Sequence, residues 1–218
     1  MVAKWFTLRN ISVSVMLSFK NVMLKRSFDL IMAALGLLFL WWIILLGWVC
    51  AYFDTGAGGF FIQQRVGRYG RLFSVIKLRT MRPDNSMKTT ITTDSDSRIT
   101  NTGRILRRLK IDELPQLINV ILGDMSFVGP RPDVPGYADL LDGDDRIILN
   151  IRPGITGPAT LTYKDEDSLL AGEMDPEAYS RQVIWPDKVR INKDYMKNWS
   201  FRKDISYIIQ TIFDKIIC

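Results

Sequence analysis

The chain has 218 residues, enough for one domain with a substantial core. It has no histidine, which excludes Ser-His-Asp triads and histidine-ligated zinc sites and leaves carboxylate, lysine, tyrosine or hydroxyl groups for chemistry. The net charge is +6, but residues 1–28 hold five basic and no acidic side chains, so the basic balance argues only weakly for nucleic acid. Cys50 and Cys218 form no disulfide or metal pattern, which suits a reducing compartment.

The N-terminal part of the chain predicts association with a membrane. Residues 1–27 mix apolar and basic side chains, as in segments that lie along an anionic membrane surface. Residues 28–53 form a predicted membrane helix around the uncharged run "LIMAALGLLFLWWIILLGWVCAYF". This run can cross a hydrocarbon core of about 30 Å, and it is too long for a signal peptide and lacks a small-residue cleavage site.

A catalytic body is predicted over residues 54–187. It contains two short strands, "FFIQQRVG" and "RLFSVIKLRTM", around the turn "GRYG", which together predict a β-hairpin. The polar stretch "RPDNSMKTTITTDSDS" then predicts a mobile loop. A helix is predicted over residues 98–110, and a second helix begins at Pro115 and ends at Gly123. The inner face of the first is expected to carry Ile105, Leu106 and Leu109.

The last predicted zone, residues 188–218, is an amphipathic helical segment. Apolar residues follow a helical rhythm, and lysines and aspartates occupy the opposite face. Packing on the protein core and docking on the membrane interface both remain open for this segment. The apolar positions are Ile205, Ile208, Ile209, Ile212, Phe213 and Ile216.

Two adjacent carboxylates, Asp112 and Glu113, lie directly before the second helix of the body. Capping of that helix is the simple structural role for such a pair. Residues 65–110, however, hold twelve basic and three acidic side chains, among them Lys77, Arg79 and Arg107. Such clustering without interleaved aromatic residues favours a small phosphate-bearing molecule over a polynucleotide. A carboxylate can attack phosphorus once a divalent cation and arginines have reduced the repulsion.

Two alternative functions remain open. Asp94 and Asp96 in "DSD" form a short acidic pattern of the kind that holds a metal in nucleotide-sugar glycosyltransferases releasing UDP, although three-residue patterns arise readily by chance. The basic block could also belong to a non-catalytic, membrane-anchored adaptor that binds anionic lipid.

Three blocks of the sequence resemble the bacterial sugar transferases, specifically the small monotopic phosphoglycosyl transferases. They are "FFIQQRVGRYGRLFSVIKLRTM", "RITNTGRILRRLKIDELPQLINVILGDMSFVGPRP" and "RPGITGP", and the similarity runs from about residue 25 to the C terminus. The resemblance implies a mainly α fold with a small β-hairpin, in which a re-entrant membrane helix and interfacial amphipathic helices surround a compact cytosolic catalytic domain. It also implies the minimal catalytic form, without the extra transmembrane domain of larger relatives.

The implied reaction transfers a phospho-sugar from a UDP-sugar to polyprenol phosphate and releases UMP. It would take place at the cytoplasmic face of the bacterial inner membrane, in contact with membrane lipid and without nucleic acid. The product would pass to downstream glycosyltransferases of glycoconjugate synthesis. By the same match Asp112 would be the nucleophile and a ligand of Mg²⁺, and Glu113 its partner. Lys77, Arg107 and Arg131 match phosphate-binding positions, and Arg79 belongs to the same basic block.

The sequence departs from the family at two positions that matter for function. A Ser-Pro pair usually breaks the membrane helix, but Trp41 and Trp42 stand in that region here, so the proline that would bend the helix is absent. A helix that spans the membrane is therefore the alternative, although it would place catalysis on the wrong side for UDP-sugar. Pro158 stands where a bulky residue is common, so the sugar pocket is expected to differ.

Overall fold

The structure is a computed structural model that describes residues 19–83 and 96–216. Its described part is mostly helical, with one antiparallel β-hairpin and one long apolar N-terminal helix, as the sequence predicts. The re-entrant path of that helix stays a prediction. The first 18 residues and most of the predicted mobile loop lie outside the described residues.

The helices and strands follow one another along the chain, joined by short turns. In order they are α1 (Phe19–Thr55), β1 (Phe60–Val66), β2 (Leu72–Leu78), α2 (Asn101–Arg108), α3 (Gln116–Leu122), β3 (Ser126–Val128), β4 (Gly154–Thr156), α4 (Pro158–Thr162), α5 (Glu166–Ala171), α6 (Pro176–Tyr179), α7 (Trp185–Lys197) and α8 (Phe201–Ile216). Single 3-10 turns cover Arg68–Gly70, Ile111–Glu113 and Ala138–Leu140, a longer 3-10 stretch covers Gly143–Asn150, and a π-helical turn, Ser180–Ile184, joins α6 to α7.

α1 is one helix of 37 residues, and one stripe of it packs along the body. Ala33, Ile44 and Ala51 are buried in this stripe, which spans most of the apolar run. At Gly47 the approach is very close, because a Cβ there would lie 2.5 Å from Leu78 Cδ1. Glycine therefore permits the contact between α1 and β2.

The other side of α1 exposes large apolar side chains, including Leu38, Phe39 and Trp41. By length and composition, Lys20–Thr55 could cross a membrane, and 17% of its most apolar window is buried inside the protein. A water-facing surface this apolar would be unfavourable, so the exposed side of α1 is suited to lipid.

β1 and β2 form the predicted hairpin, with Phe60 opposite Leu78 and Val66 opposite Leu72. Gly70 in the connecting turn has φ +76°, a left-handed conformation that glycine adopts without steric cost. The turn predicted from "GRYG" between the two strands is therefore confirmed.

α2 is shorter than the predicted helix over residues 98–110. Thr100 caps its N terminus, where its hydroxyl accepts a hydrogen bond of 2.9 Å from the Gly103 N–H. At the other end the chain turns left-handed at Lys110, with φ 56° and ψ 21°. These two residues set the limits of the helix.

The predicted inner face of α2 is partly wrong. Leu106 is buried, but Ile105 and Leu109 are 60% and 58% exposed. The reason is that α2 packs through a narrow stripe, in which Gly103 lies so close to the Thr80 carbonyl that no Cβ would fit. This close approach leaves the neighbouring apolar side chains outside.

α3 begins and ends where the sequence indicates. Pro115 is its N-cap residue, and Gly123 ends it with φ +95°. The chain then enters β3, which pairs in parallel with β4. This short parallel pair is not among the predicted elements.

The C-terminal helices belong to the same core as the body. Val189 and Met196 of α7 pack with Val66 and Val128, and α7 extends across the predicted zone boundary at residues 187–188. One core therefore joins the hairpin, β3 and α7.

α8 is tied to the start of α1 by a buried carboxylate. Asp204 accepts hydrogen bonds from Lys25 Nζ (2.5 Å), Tyr195 OH (2.7 Å) and Trp199 Nε1 (3.1 Å). Three donors satisfy the buried charge, which makes this contact specific. α8 thus packs on the core, while its outer face still exposes apolar side chains, namely Ile209, Ile212 and Phe213.

Candidate active site

Two basic side chains from distant parts of the chain meet at the carboxylate of Glu113. Lys77 comes from β2, Glu113 from the Ile111–Glu113 turn, and Arg131 from the segment that follows β3. Glu113 Oε1 accepts a hydrogen bond of 2.6 Å from Arg131 Nη2 and one of 3.2 Å from Lys77 Nζ. The Glu113 side chain is 9% exposed and those of Lys77 and Arg131 are 23% and 39% exposed, so both cations of the ion pairs are partly open to solvent.

Asp112, next to this network, is buried, and its Oδ1 has no hydrogen-bond partner among the described residues. Burial, followed by the charge of Glu113, raises the pKa of Asp112, and the charge of Lys77 opposes this rise. The side chain therefore holds a buried carboxylate oxygen that no group of the described residues stabilises by a hydrogen bond.

Glu113 has the opposite electrostatic environment. Burial acts to raise the pKa of Glu113, but the charges of Arg131, Lys77 and Lys110 outweigh it and hold that pKa well below its usual range. Burial lowers the pKa of Lys77, while the Glu113 charge acts to raise it. Glu113 is therefore ionised across the physiological range, and it fixes two cations beside Asp112.

Asn119 aligns the strand that carries Lys77 with the helix that follows the carboxylates. Its side-chain oxygen accepts from the Ile76 N–H at 3.1 Å, and its amide donates to the Ser74 carbonyl at 2.8 Å. Asn119 is almost fully buried on α3. This residue was not among the predicted site residues, because nothing in the sequence indicates which strand an asparagine on a helix will bind.

The remaining predicted phosphate-binding residues lie in different surroundings. Arg107 Nε donates to Thr80 Oγ1 at 2.9 Å, and its charge acts on Asp112 without a direct contact. Arg79 donates to the Gly58 carbonyl at 2.8 Å and so holds the open end of the hairpin. The structure thus brings Lys77 and Arg131 to the carboxylates, places Arg107 nearby and places Arg79 elsewhere.

Two further charged groups border the site and were not predicted. Arg65 on β1 donates to the Pro132 carbonyl at 3.3 Å, and its charge reaches Glu113 and Asp133. Burial raises the pKa of Asp133 to about 6, although nearby cations, led by Lys188, act to lower it. Arg65 falls in the basic block of the sequence, but its position on the inner side of the hairpin is a tertiary feature.

A small cavity lies behind Arg131. Its volume of about 20 Å³ suffices for one water molecule, and Asp133 and the unpartnered Oδ1 of Asn192 contribute polar groups to its lining. This enclosed space is too small to hold a molecule much larger than water.

The acidic pair of the alternative metal site has a different environment. Asp96 is held by Arg98, whose Nη2 donates to Asp96 Oδ2 at 2.6 Å, and this hydrogen bonding lowers the pKa of Asp96. Asp94 lies outside the described residues. Since the guanidinium already neutralises Asp96, the structure offers little support for a metal there.

Residues 19–83 and 96–216 contain no cluster of three or more histidine, cysteine, aspartate or glutamate side chains that could hold a metal ion by itself. Mg²⁺ does not require such a cluster, because it commonly binds one or two carboxylates together with substrate phosphates and water. The unpartnered Oδ1 of Asp112 is a suitable hard ligand for it. The residues present therefore fit Mg²⁺ bound jointly with a phosphate substrate.

Comparison with known proteins shows one family across most of the chain. The family model described as "Bacterial sugar transferase" matches residues 20–217. The exopolysaccharide production protein ExoY of Sinorhizobium fredii is 32% identical over 204 residues, covering 86% of this chain and 83% of the relative. The uncharacterized sugar transferase EpsL of Bacillus subtilis is 35% identical over 191 residues, covering 88% and 86%. The UDP-glucose:undecaprenyl-phosphate glucose-1-phosphate transferase of Caulobacter vibrioides is 33% identical over 192 residues, covering 86% and 68%.

Proposed function

The chain belongs to the bacterial sugar transferase family and is a phosphoglycosyl transferase, and from this premise we propose its reaction and mechanism. The proposed reaction transfers a sugar-1-phosphate from a UDP-sugar to polyprenol phosphate and releases UMP. Relatives named as undecaprenyl-phosphate sugar phosphotransferases support the general reaction. The observation that carries the mechanism is the buried, unpartnered oxygen of Asp112 beside two cations held on Glu113.

In the proposed first half-reaction, a carboxylate oxygen of Asp112 attacks the phosphorus that bears the sugar. A new bond forms between this oxygen and phosphorus, the bond between the phosphorus and the bridging oxygen breaks, and UMP leaves with that oxygen. The product is an aspartyl phospho-sugar. Arg131 and Lys77 are in position to offset the negative charge of the phosphoryl oxygens, since both lie at the mouth of the site.

In the proposed second half-reaction, a phosphate oxygen of polyprenol phosphate attacks the same phosphorus. The bond to Asp112 breaks, the carboxylate is regenerated, and the product is a polyprenyl diphosphate sugar. The two steps form a ping-pong mechanism, in which UMP leaves before the acceptor reacts.

Mg²⁺ is part of the proposal, with Asp112 as its protein ligand. When bound, it would neutralise phosphate charge and lower the repulsion between a carboxylate and an anionic diphosphate. Glu113 acts by keeping Arg131 and Lys77 in place, because both cations donate to its Oε1.

The packing of α1 supports a site at the membrane surface rather than on a separate domain. The body contacts α1 from Lys25, which pairs with Asp204, to Ala51 near its C-terminal end. A helix crossing the bilayer would carry this charged body into the hydrocarbon, which is unfavourable. We therefore favour a re-entrant or shallow path for α1, with the active site at the cytoplasmic face of the inner membrane.

The proposed place of the reaction is the first step of a bacterial glycan. A lipid-linked sugar-1-phosphate is a substrate for glycosyltransferases that add further sugars, and these are the proposed downstream partners. Two of the relatives are named for exopolysaccharide production, which supports this class of pathway.

The mechanism is tested by isotope exchange in the absence of polyprenol phosphate. Labelled UMP should exchange into UDP-sugar with the wild-type enzyme and not with Asp112→Asn, because exchange requires the covalent intermediate. The matched control is Asp144→Asn, which alters an exposed aspartate on the Gly143–Asn150 stretch. Exchange that survives in Asp112→Asn would disprove the role of Asp112, and release of UDP instead of UMP would indicate a single-step glycosyltransferase.

A further inference from the structure

Lys110 has a backbone conformation that its side chain does not favour. Its φ of 56° and ψ of 21° lie in the left-handed region, where among the described residues only one other non-glycine residue, Tyr69, has a positive φ. Glycine or asparagine usually occupies the left-handed position after a helix, because a Cβ is strained there. The fold by itself therefore favours glycine at this position, and the presence of lysine calls for another reason.

The position of Lys110 in the chain connects α2 to the catalytic carboxylates. Its N–H donates to the Arg107 carbonyl at 3.0 Å, and its own carbonyl accepts from the Glu113 N–H at 3.2 Å. Its charge acts on both Asp112 and Glu113. Lys110 is thus fixed at the edge of the active site by its backbone.

The ammonium group of Lys110 is available to a ligand. Its side chain is exposed, and no hydrogen bond or ion pair joins it to any residue of the described ranges 19–83 and 96–216. The other cations close to the carboxylates are engaged, since Lys77 and Arg131 donate to Glu113 and Arg107 donates to Thr80.

Two exposed apolar side chains lie near Lys110 on the outside of the protein, together with the exposed Arg108. Ile105 on α2 and Leu109, the C-cap residue of α2, are one turn apart and are 60% and 58% exposed. On its other side Ile111 packs with Ile44 of α1 and Leu106. Lys110 therefore lies where the active-site turn meets the apolar helix, beside two exposed apolar side chains that water does not favour.

We propose that Lys110 binds the phosphate of the polyprenol phosphate acceptor, with Leu109 and Ile105 contacting the first part of its hydrocarbon chain. This assignment rests on the proposed function. A phosphate joined to a long apolar chain matches a free ammonium group next to exposed apolar side chains. The UDP-sugar donor carries phosphates too, but it has no hydrocarbon to cover this surface, so the acceptor is the better match.

The experiment separates two effects of Lys110. Its left-handed backbone conformation would be less strained with glycine, whereas the proposed phosphate binding requires its ammonium group. Lys110→Gly relieves the left-handed strain and removes the charge, whereas Lys110→Arg keeps both. Lys197→Ala, which removes an exposed lysine near the end of α7, is the matched control. The KM for polyprenol phosphate, the KM for UDP-sugar and the Tm in detergent are measured for each variant.

Lys110→Gly should raise the KM for polyprenol phosphate about tenfold, the effect of losing one charge-assisted hydrogen bond at a partly exposed site. The KM for UDP-sugar should stay at the wild-type level, because no contact with the donor is assigned to Lys110. The rate of UMP exchange, which needs no acceptor, separately reports how the loss of the Lys110 charge affects Asp112. Its Tm should equal or exceed that of the wild type, by up to about 2 °C, since glycine suits the backbone. Lys110→Arg should keep the acceptor KM within about twofold of wild type.

Three results would overturn the assignment. A rise confined to the KM for UDP-sugar would assign Lys110 to the donor, and an unchanged acceptor KM would remove it from the site. A lower Tm together with lost activity would give the residue a structural role. Failure of the proposed function is distinguishable, since the wild-type enzyme would then release no UMP under any condition.

Discussion

Replacing Asp112 and Glu113 one at a time should change stability in opposite directions. Burial and the charge of Glu113 raise the pKa of Asp112, so the folded protein is less stable when Asp112 is ionised than when it is neutral. The stability that the neutral form of Asp112 provides is present at low pH. It is lost as the pH rises through the pKa of Asp112 in the folded protein. Asp112→Asn removes the charge at neutral pH and should therefore stabilise the fold.

The expected size of the stabilisation by Asp112→Asn follows from the missing hydrogen bond to Asp112 Oδ1. Leaving a buried polar group without a hydrogen bond costs about 1–3 kcal/mol, and the lower figure applies because asparagine brings its own polar groups. For a chain of this size, about 1 kcal/mol raises Tm by about 2–4 °C. Asp112→Asn should show this rise and no exchange of UMP.

Glu113→Gln should have the reverse effect on stability. The pKa of Glu113 is held well below its usual range, so its ionised form stabilises the fold above the unfolded pKa. Removing one partner of a buried ion pair costs about 3–5 kcal/mol. Since the Arg131 side chain is 39% exposed, we expect a smaller loss of about 2 kcal/mol and a fall in Tm of about 4–8 °C.

Both variants are compared with the wild type by thermal unfolding in the same detergent at pH 7, with UMP release measured in parallel. Equal destabilisation of the two variants would refute the reasoning, because it would mean that the buried charge of Asp112 is as well stabilised as that of Glu113.

Two further predictions concern the surroundings of the site and the packing of α1. Burial raises the pKa of Asp133 from 3.8 to about 6, so its stabilising contribution is complete below about pH 4 and is lost as the pH rises through 6. Measured by thermal unfolding, the wild type should lose up to about 3 kcal/mol relative to Asp133→Asn between pH 4 and 7, and a pH-independent difference would contradict the pKa. Gly47→Ala should lower the free energy of unfolding by about 1–2 kcal/mol, because the new Cβ would lie 2.5 Å from Leu78 Cδ1. The control is Gly58→Ala, where a Cβ would meet no atom within 4 Å and Tm should stay unchanged.

Much of the local structure follows from the sequence. The turn "GRYG" predicts the hairpin, Pro115 and Gly123 mark the ends of α3, and the uncharged run predicts α1. These features depend on backbone preferences and on hydrophobic runs, which short stretches of sequence display directly. The carboxylate pair was also identified as a site candidate from its basic neighbours and from the family resemblance.

The faces of the helices were harder to predict. Ile105 and Leu109 have the spacing of buried residues, yet they are exposed, because Gly103 lets α2 approach the Thr80 carbonyl through a narrow stripe. Helical periodicity identifies an apolar face but not what covers it. In a membrane-associated protein, lipid can cover such a face as well as protein can.

The sequence by itself placed the candidate site residues in blocks that are typical of one enzyme family. These residues are the carboxylates Asp112 and Glu113 and the cations Lys77 and Arg131. Only the tertiary structure decided that Lys77 and Arg131, 36 and 18 residues away from Glu113 in the chain, both donate to the same carboxylate oxygen. It also decided that Asn119 fixes the strand bearing Lys77 and that Asp112 Oδ1 has no such partner among the described residues. The physical reason is that local preferences act over a few residues, whereas the pairing and burial of charges depend on which distant segments pack together.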